Sequence, residues 1–207
     1  MQRPRQQLLI LTVLAVLALP GIALAYDSQR LQSALESLSP STVAGWEQKA
    51  LAGDALTQNV TGMAYKYGKF GVPQDHAASI KWYRKAAEQG DADAQFNLGR
   101  VYDRPIGMYA KSRAAPQDDL EAVNWYGKAA QQGYAPAQSN LAEIYAAGGS
   151  GVPQDFVQAY FWMSLAASSG NELAQQKREA YAARLSSAQM QDAQRLLAEW
   201  KKRAGAK

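Results

Sequence analysis

Cysteine is absent from the chain, and histidine occurs once, as His76. Without cysteine there is neither a disulfide nor a lipid anchor attached through a thiol, so packing alone must stabilise the fold, even in an oxidising compartment. A zinc or copper site would lack its usual ligands, and a serine nucleophile would have only His76 as its base. We therefore expect no metal site, no cofactor and no catalytic residues.

A strong excess of one charge is also lacking. The chain has 22 lysines and arginines against 18 aspartates and glutamates, a net charge of +4. Two of the basic residues, Arg3 and Arg5, belong to the N-terminal segment, and without them the remainder is nearly neutral. Because nucleic-acid binding proteins need a basic surface, we expect no nucleic-acid partner.

Residues 1–25 have the pattern of a secretory signal. Arg3 and Arg5 precede an apolar run, 8–19, that only Thr12 interrupts, and Ala23-Leu24-Ala25 supplies the small residues that a signal peptidase needs. The run of 12 residues is shorter than the roughly 20 that span a bilayer. We predict cleavage after Ala25 and a periplasmic or secreted protein with no membrane span after cleavage. An uncleaved N-terminal anchor is the alternative.

A tetrapeptide recurs three times, as residues 72–75, 115–118 and 152–155, each time ending in Pro-Gln-Asp. A tryptophan follows each aspartate after seven residues, and a glycine follows each tryptophan after eight, at Gly90, Gly133 and Gly170. Three features held in register indicate a repeat array, and a period of this size is typical of stacked helical hairpins.

The second unit shows the helical pattern most clearly. Ala94, Leu98, Val101 and Tyr102 have the spacing of one helix face. We expect Pro116 to occupy the first position of the second helix, with Asp118 in the same turn, and a positive φ at Gly133 to end that helix. The tryptophans at 82, 125 and 162 are expected in the core.

Three segments carry a family resemblance: Ala94-x-x-x-Leu98-Gly99-x-x-Tyr102, Gly71-Val72-Pro73-Gln74-Asp75, and Trp82-Tyr83-x-Lys85-Ala86-Ala87-x-x-Gly90. Together they resemble the Sel-one-like repeat of the tetratricopeptide-type proteins. The resemblance implies an all-α fold, a right-handed α/α solenoid of three to four helix-hairpin repeats with helical caps. We place N-terminal capping helices in 26–52, repeats in 53–90, 91–133 and 134–170, and C-terminal capping helices in 171–207.

The first unit departs from this pattern. Thr57 and Thr61 stand where the second unit has Ala94 and Leu98, so we expect the first unit to be poorly packed. In the third unit Ala142 replaces the glycine of the other two.

The second unit carries an insertion, residues 104–113, between its two helices. Insertions in solenoids lie on one face, which is often the binding face. Aromatic, methionine and arginine side chains are enriched at protein interfaces, although a solvated loop that makes no contact with a partner is the competing interpretation. The candidate contacts in the insertion are Arg104, Met108, Tyr109, Lys111 and Arg113.

Four more candidates, Asn97, Arg100, Asn140 and Glu143, lie on the predicted first helices and should face outward. The resemblance implies a protein-interaction adaptor in envelope signalling, secretion or exopolysaccharide assembly, with an unknown protein partner in the cell envelope. A β-lactamase-like enzyme and a glycan- or peptidoglycan-binding module are the alternatives.

The aspartates at 91, 93, 118 and 119 begin helices, and the glycine-rich segment 148–151 joins two helices, so both are interpreted as structural.

Overall fold

The computed structural model describes residues 48–69, 72–103 and 117–205. Within these ranges the regular structure is helical, apart from one isolated antiparallel bridge between Gly149 and Val152. Residues 48–51 are helical. The helices that follow are α1 Ala55–Tyr67, α2 His76–Glu88, α3 Ala92–Tyr102, α4 Asp119–Gln131, α5 Ala135–Ala147, α6 Phe156–Ala167, α7 Glu172–Ala182 and α8 Ser187–Gly205.

The helices pack as consecutive hairpins. Each of the helices α1, α3 and α5 packs against the helix that follows it, and each hairpin packs against the next through α2 with α3, α4 with α5, and α6 with α7. The first helices therefore form one layer and the second helices another. This arrangement confirms the predicted all-α solenoid. The predicted signal at 1–25, the capping residues 26–47 and the insertion lie outside the described residues.

Aspartate side chains begin the second helices. Asp75, Asp118 and Asp155 are the N-caps of α2, α4 and α6, and each accepts a hydrogen bond from a backbone N–H of the first turn. The prediction that Pro116 occupies the first position of the second helix is wrong, because α4 begins at Asp119, after its N-cap Asp118. In the other two units Pro73 and Pro153 lie two residues before the N-cap. The closing glycines have the predicted positive φ, 92° at Gly90, 85° at Gly133 and 84° at Gly170.

The core does not contain all three tryptophans. Trp125 and Trp162 are 5 % and 8 % exposed, but Trp82 is only half-buried and lies beneath the Lys85 ammonium, 4.6 Å from the ring centroid. Trp82 thus makes a cation–π contact at the surface rather than a core contact. The fully buried positions are those one residue later, at Tyr83, Tyr126 and Met163.

The threonines of the first unit are packed, contrary to expectation. Thr57 and Thr61 are 6 % and 3 % exposed. The Thr61 hydroxyl donates to the carbonyl oxygen of Thr57 at 2.7 Å, and the Thr57 hydroxyl donates to Asp54. Because a hydrogen-bonded hydroxyl can be buried at little cost, these residues replace apolar ones without loosening the unit.

A row of buried glutamines joins consecutive units. Gln58, Gln95 and Gln138 occupy the same position in α1, α3 and α5 and are each 4 % exposed. Each Nε2 donates to an alanine carbonyl oxygen of the preceding helical segment, at 2.8, 3.0 and 3.1 Å. Sequence reasoning missed this row, although the recurrence of glutamine at equivalent positions was the available signal.

The last hairpin closes the array. Helix α8 packs against α6, and Trp200 lies 5.9 Å from the ring of Phe161 and 5.6 Å from that of Trp162, both at edge-on angles. Leu196 and Leu197 add to the same contact. The α8 helix therefore covers an apolar face that a further repeat would otherwise bury.

Candidate protein-binding groove

A groove runs across the first helices, from α1 past α3 and α5 to α7. Its volume is about 410 Å³. Side chains of three consecutive repeats and of α7 contribute to its wall, so the groove is built by stacking and belongs to no single repeat. Four of the residues proposed from the sequence line it: Asn97, Arg100, Asn140 and Glu143.

The end of the groove at α1 and α3 is basic. Lys66 on α1 is only 5 % exposed, with its ammonium 5.0 Å from the centroid of the Tyr67 ring. Arg100 on α3 is exposed and stands 5.8 Å from the ring centroid of Phe96. Burial, and then the charge of Arg100, lowers the pKa of Lys66 to about 7.

Asn97 does not face outward as predicted. It is 8 % exposed, and its Nδ2 donates to Oδ1 of Asn59 at 3.2 Å. Asn59 in turn donates to Oδ1 of Asp91 at 3.3 Å. The preceding unit thus covers Asn97, which forms part of the floor of the groove and is held there by a polar chain.

Asn140 holds the equivalent position in the next unit and has a different partner. Its Nδ2 donates to the hydroxyl of Tyr126 at 2.9 Å, and that hydroxyl donates to Oδ2 of Asp103 at 3.2 Å. Burial, followed by the nearby Asp103 carboxylate, raises the pKa of Tyr126 well above its usual range. The phenol therefore keeps its proton and links the groove to Asp103, the residue directly before the insertion.

The end of the groove at α5 and α7 is neutral and partly apolar. Glu143 forms an ion pair with Lys177 across the two helices. Leu173, at the start of α7, is 58 % exposed beside them. Arg100 and Glu143 hold equivalent positions in α3 and α5, so the charge at this position changes sign along the groove.

The remaining proposed contacts, Arg104, Met108, Tyr109, Lys111 and Arg113, lie outside the described residues. Sequence reasoning missed Lys66, Lys177 and Leu173. Lys66 had a signal of its own, since it is the lone charge in the stretch Met63-Ala64-Tyr65-Lys66-Tyr67. Lys177 and Leu173 had none, because their place in the groove depends on how α7 packs.

The acidic residues at helix starts have structural partners. Asp91 and Asp118 are N-caps of α3 and α4. Asp119 accepts the backbone N–H of Ser150 at 2.7 Å, so this carboxylate occupies the glycine-rich segment that joins α5 and α6. Among the described residues no group of histidine, cysteine, aspartate or glutamate is arranged to hold a metal ion. None of the described helices is long and apolar enough to cross a membrane.

Comparison with known proteins identifies the repeats. The model of the Sel1 repeat matches residues 55–91, 92–134 and 135–171, more than half of the chain. No curated protein matches the chain.

Several solved structures are similar to it, including the following two. One is a protective antigen present in uropathogenic Escherichia coli strains and displaying an SLR fold, with 32% identity and a TM-score of 0.59 over 78% of this chain. The other is a Sel1 repeat protein from Oxalobacter formigenes, with 33% identity and a TM-score of 0.57 over 67% of this chain and 97% of that one. The chain spans 32% of the length of the Escherichia coli protein. The stacked hairpins, the recurrent motif and these likenesses agree, and the chain belongs to the Sel1 repeat family, whose helical repeats generally mediate protein–protein interaction.

Proposed function

We propose that the chain is an exported adaptor whose groove binds an extended segment of a protein partner in the cell envelope. The groove itself is the observation that carries this proposal, since it crosses α1, α3, α5 and α7 without interruption. A surface made by rigid helices is already ordered before binding, so little entropy is lost in shaping it.

The lining of the groove fits a peptide. Asn140 provides an amide group of the kind that bonds to a peptide backbone, and exposed Leu173 provides an apolar contact. Basic residues stand at one end and a neutral ion pair at the other, which would orient a bound segment.

Export is supported by the sequence pattern of residues 1–25. The similar Escherichia coli protein is a protective antigen. Within the envelope, signalling, secretion and exopolysaccharide assembly are the processes in which we place the adaptor.

The insertion is proposed as a second contact region. It follows Asp103, and the hydrogen bonds from Asp103 through Tyr126 to Asn140 join its base to the groove. Arg104 directly follows Asp103 in the chain, and Tyr109 and Arg113 belong to the same insertion.

Photocrosslinking in cells tests the groove. A photoreactive amino acid at Ser139, in the groove, should capture one specific envelope protein, and the same group at exposed Asn124 on α4 should not. A triple alanine variant at Arg104, Tyr109 and Arg113 should weaken that capture if the insertion contributes. Equal capture at both positions, or none, would reject the groove as the binding site. Hydrolysis of a chromogenic β-lactam or retention on peptidoglycan by the purified chain would favour the alternatives instead.

A further inference from the structure

Two cationic side chains meet at one end of the groove. Lys66 projects from α1 and Arg100 from α3, so they come from different repeats and are brought together by stacking. Burial lowers the pKa of Lys66, and the charge of Arg100 lowers it further. Like charges held together in a partly desolvated place create a positive potential that attracts an anion.

The acid on the groove wall lies at the other end. Glu143 belongs to α5 and forms its ion pair with Lys177 of α7. The groove therefore has an uneven charge, basic at α1 and α3 and neutral at α5 and α7. Phe96 and Tyr67 flank the basic residues and give them an apolar surround, which strengthens an electrostatic contact.

We propose that the α1–α3 end of the groove binds an aspartate or glutamate side chain of the partner's extended segment, held between Lys66 and Arg100. The proposal rests on the proposed function, because it names the chemistry of the segment that the groove accepts. The guanidinium of Arg100 is suited to a two-point hydrogen bond with a carboxylate, and Lys66 supplies a point charge at the floor.

Proton uptake should accompany binding. With a pKa of about 7, Lys66 is roughly half protonated at neutral pH. A carboxylate beside it favours the charged form, so the bound state takes up a proton and the affinity falls as the pH rises from 6 to 8. The other titratable groups that line this end of the groove are Tyr67, Tyr83 and Arg100. Burial raises the pKa of Tyr67, so its phenol does not change charge in this range.

A peptide selection tests the proposal with the full chain. A phage library of random dodecapeptides is selected against the wild type, against Arg100→Gln and Lys66→Met, and against Lys81→Gln as the matched control. Lys81 is exposed on α2 and does not line the groove. The affinity of one enriched peptide and the proton uptake on its binding are then measured by calorimetry at pH 6 and pH 8, in two buffers of different ionisation enthalpy. The same measurements are made with a variant peptide in which glutamine or asparagine replaces the acidic residue.

We expect the peptides selected by the wild type and by Lys81→Gln to share one acidic position. The peptides selected by Arg100→Gln should lack it. Removing the peptide's carboxylate or the charge of Arg100 should weaken binding roughly ten- to a hundredfold. Arg100→Glu should enrich basic peptides instead. Lys66→Met should abolish the proton uptake that accompanies peptide binding. If Lys66 only supported the fold, the proton uptake would be unchanged in this variant.

Peptides that bind in the groove without an acidic residue would overturn this proposal and leave the adaptor function standing. Enrichment of no peptide would overturn it as well, and the crosslinking at Ser139 would then decide separately whether the groove binds a protein. Free C-terminal carboxylates are distinguished by amidating the peptide, since a contact through a side chain survives amidation.

Discussion

Gly99 lies directly against the ring of Tyr126. A Cβ atom added to Gly99 would overlap the edge of the ring, and one added to Gly62 would stand 2.6 Å from Cδ1 of Tyr83 in the preceding unit. In the third unit the equivalent residues are Ala142 and Met163, both fully buried. Methionine is narrower and more flexible than tyrosine, so the third unit has space for the methyl group of Ala142 at the position where the other two units have glycine.

Replacing Gly99 with alanine should destabilise the fold. Tyr126 is fully buried and cannot move aside, so we expect a loss of about 1–3 kcal/mol in the free energy of unfolding. Denaturant titration followed by circular dichroism measures it. The control is Gly127→Ala on α4, where nothing lies within 4 Å of the added Cβ and removing a helical glycine should stabilise by up to about 1 kcal/mol.

The double variant Gly99→Ala with Tyr126→Met recreates the pair of the third unit. It should recover part of the stability that Gly99→Ala loses. If Gly99→Ala were as stable as the wild type, the close approach of Gly99 and Tyr126 would not constrain the sequence.

Lys66→Met should change how stability depends on pH. The folded-state pKa of Lys66, about 7, lies below its usual value of 10.5. Between these values the unfolded chain binds the proton and the folded chain does not, so the wild type gains stability as the pH rises from 7 to 9, by at most about 1.4 kcal/mol per unit. The methionine variant should be the more stable protein at pH 6, and its advantage should shrink by pH 9. Parallel stability curves would contradict burial of the ammonium.

Tyr126→Phe removes the hydroxyl between Asn140 and Asp103. Both side chains lose a hydrogen-bond partner, and we expect a loss of about 1 kcal/mol in thermal or chemical unfolding. Tyr160→Phe, at a half-buried tyrosine outside this chain of bonds, is the matched control. If the groove and the insertion communicate through Tyr126, hydrogen exchange in the segment that follows Asp103 should quicken in Tyr126→Phe and stay unchanged in Tyr160→Phe.

Gln95→Met keeps the volume of a buried side chain and deletes its amide. The carbonyl oxygen of Ala87 then loses its bond from Nε2 and keeps the one from the Gly90 N–H. Gln132 loses Oε1 of Gln95 as an acceptor and keeps the carbonyl oxygen of Gly90. A loss of about 0.5–1.5 kcal/mol in the free energy of unfolding is expected because two hydrogen bonds across the junction are removed while their partners keep other bonds. Gln131→Met, at an exposed position of α4, should have almost no effect. Equal unfolding midpoints for the two variants would show that the glutamine row does not stabilise the junction.

The hairpins and the closing glycines could be predicted because each depends on a few neighbouring residues. The predictions that failed concern residues whose surroundings depend on contacts between repeat units. Asn97 and Asn140 are equivalent in sequence, yet one faces Asn59 and the other Tyr126. The basic end of the groove arises because stacking brings Lys66 beside Arg100, two residues that are far apart in the chain.

The glutamine row repeats the same bond at each of three successive junctions, between Gln58 and Ala50, Gln95 and Ala87, and Gln138 and Ala130. Opening any one junction therefore removes the partner of a buried glutamine amide, while the alanine carbonyl keeps its backbone bond from Gly53, Gly90 or Gly133. The stability of each unit therefore depends on its neighbours, and we expect the repeats to unfold in one cooperative transition rather than one at a time.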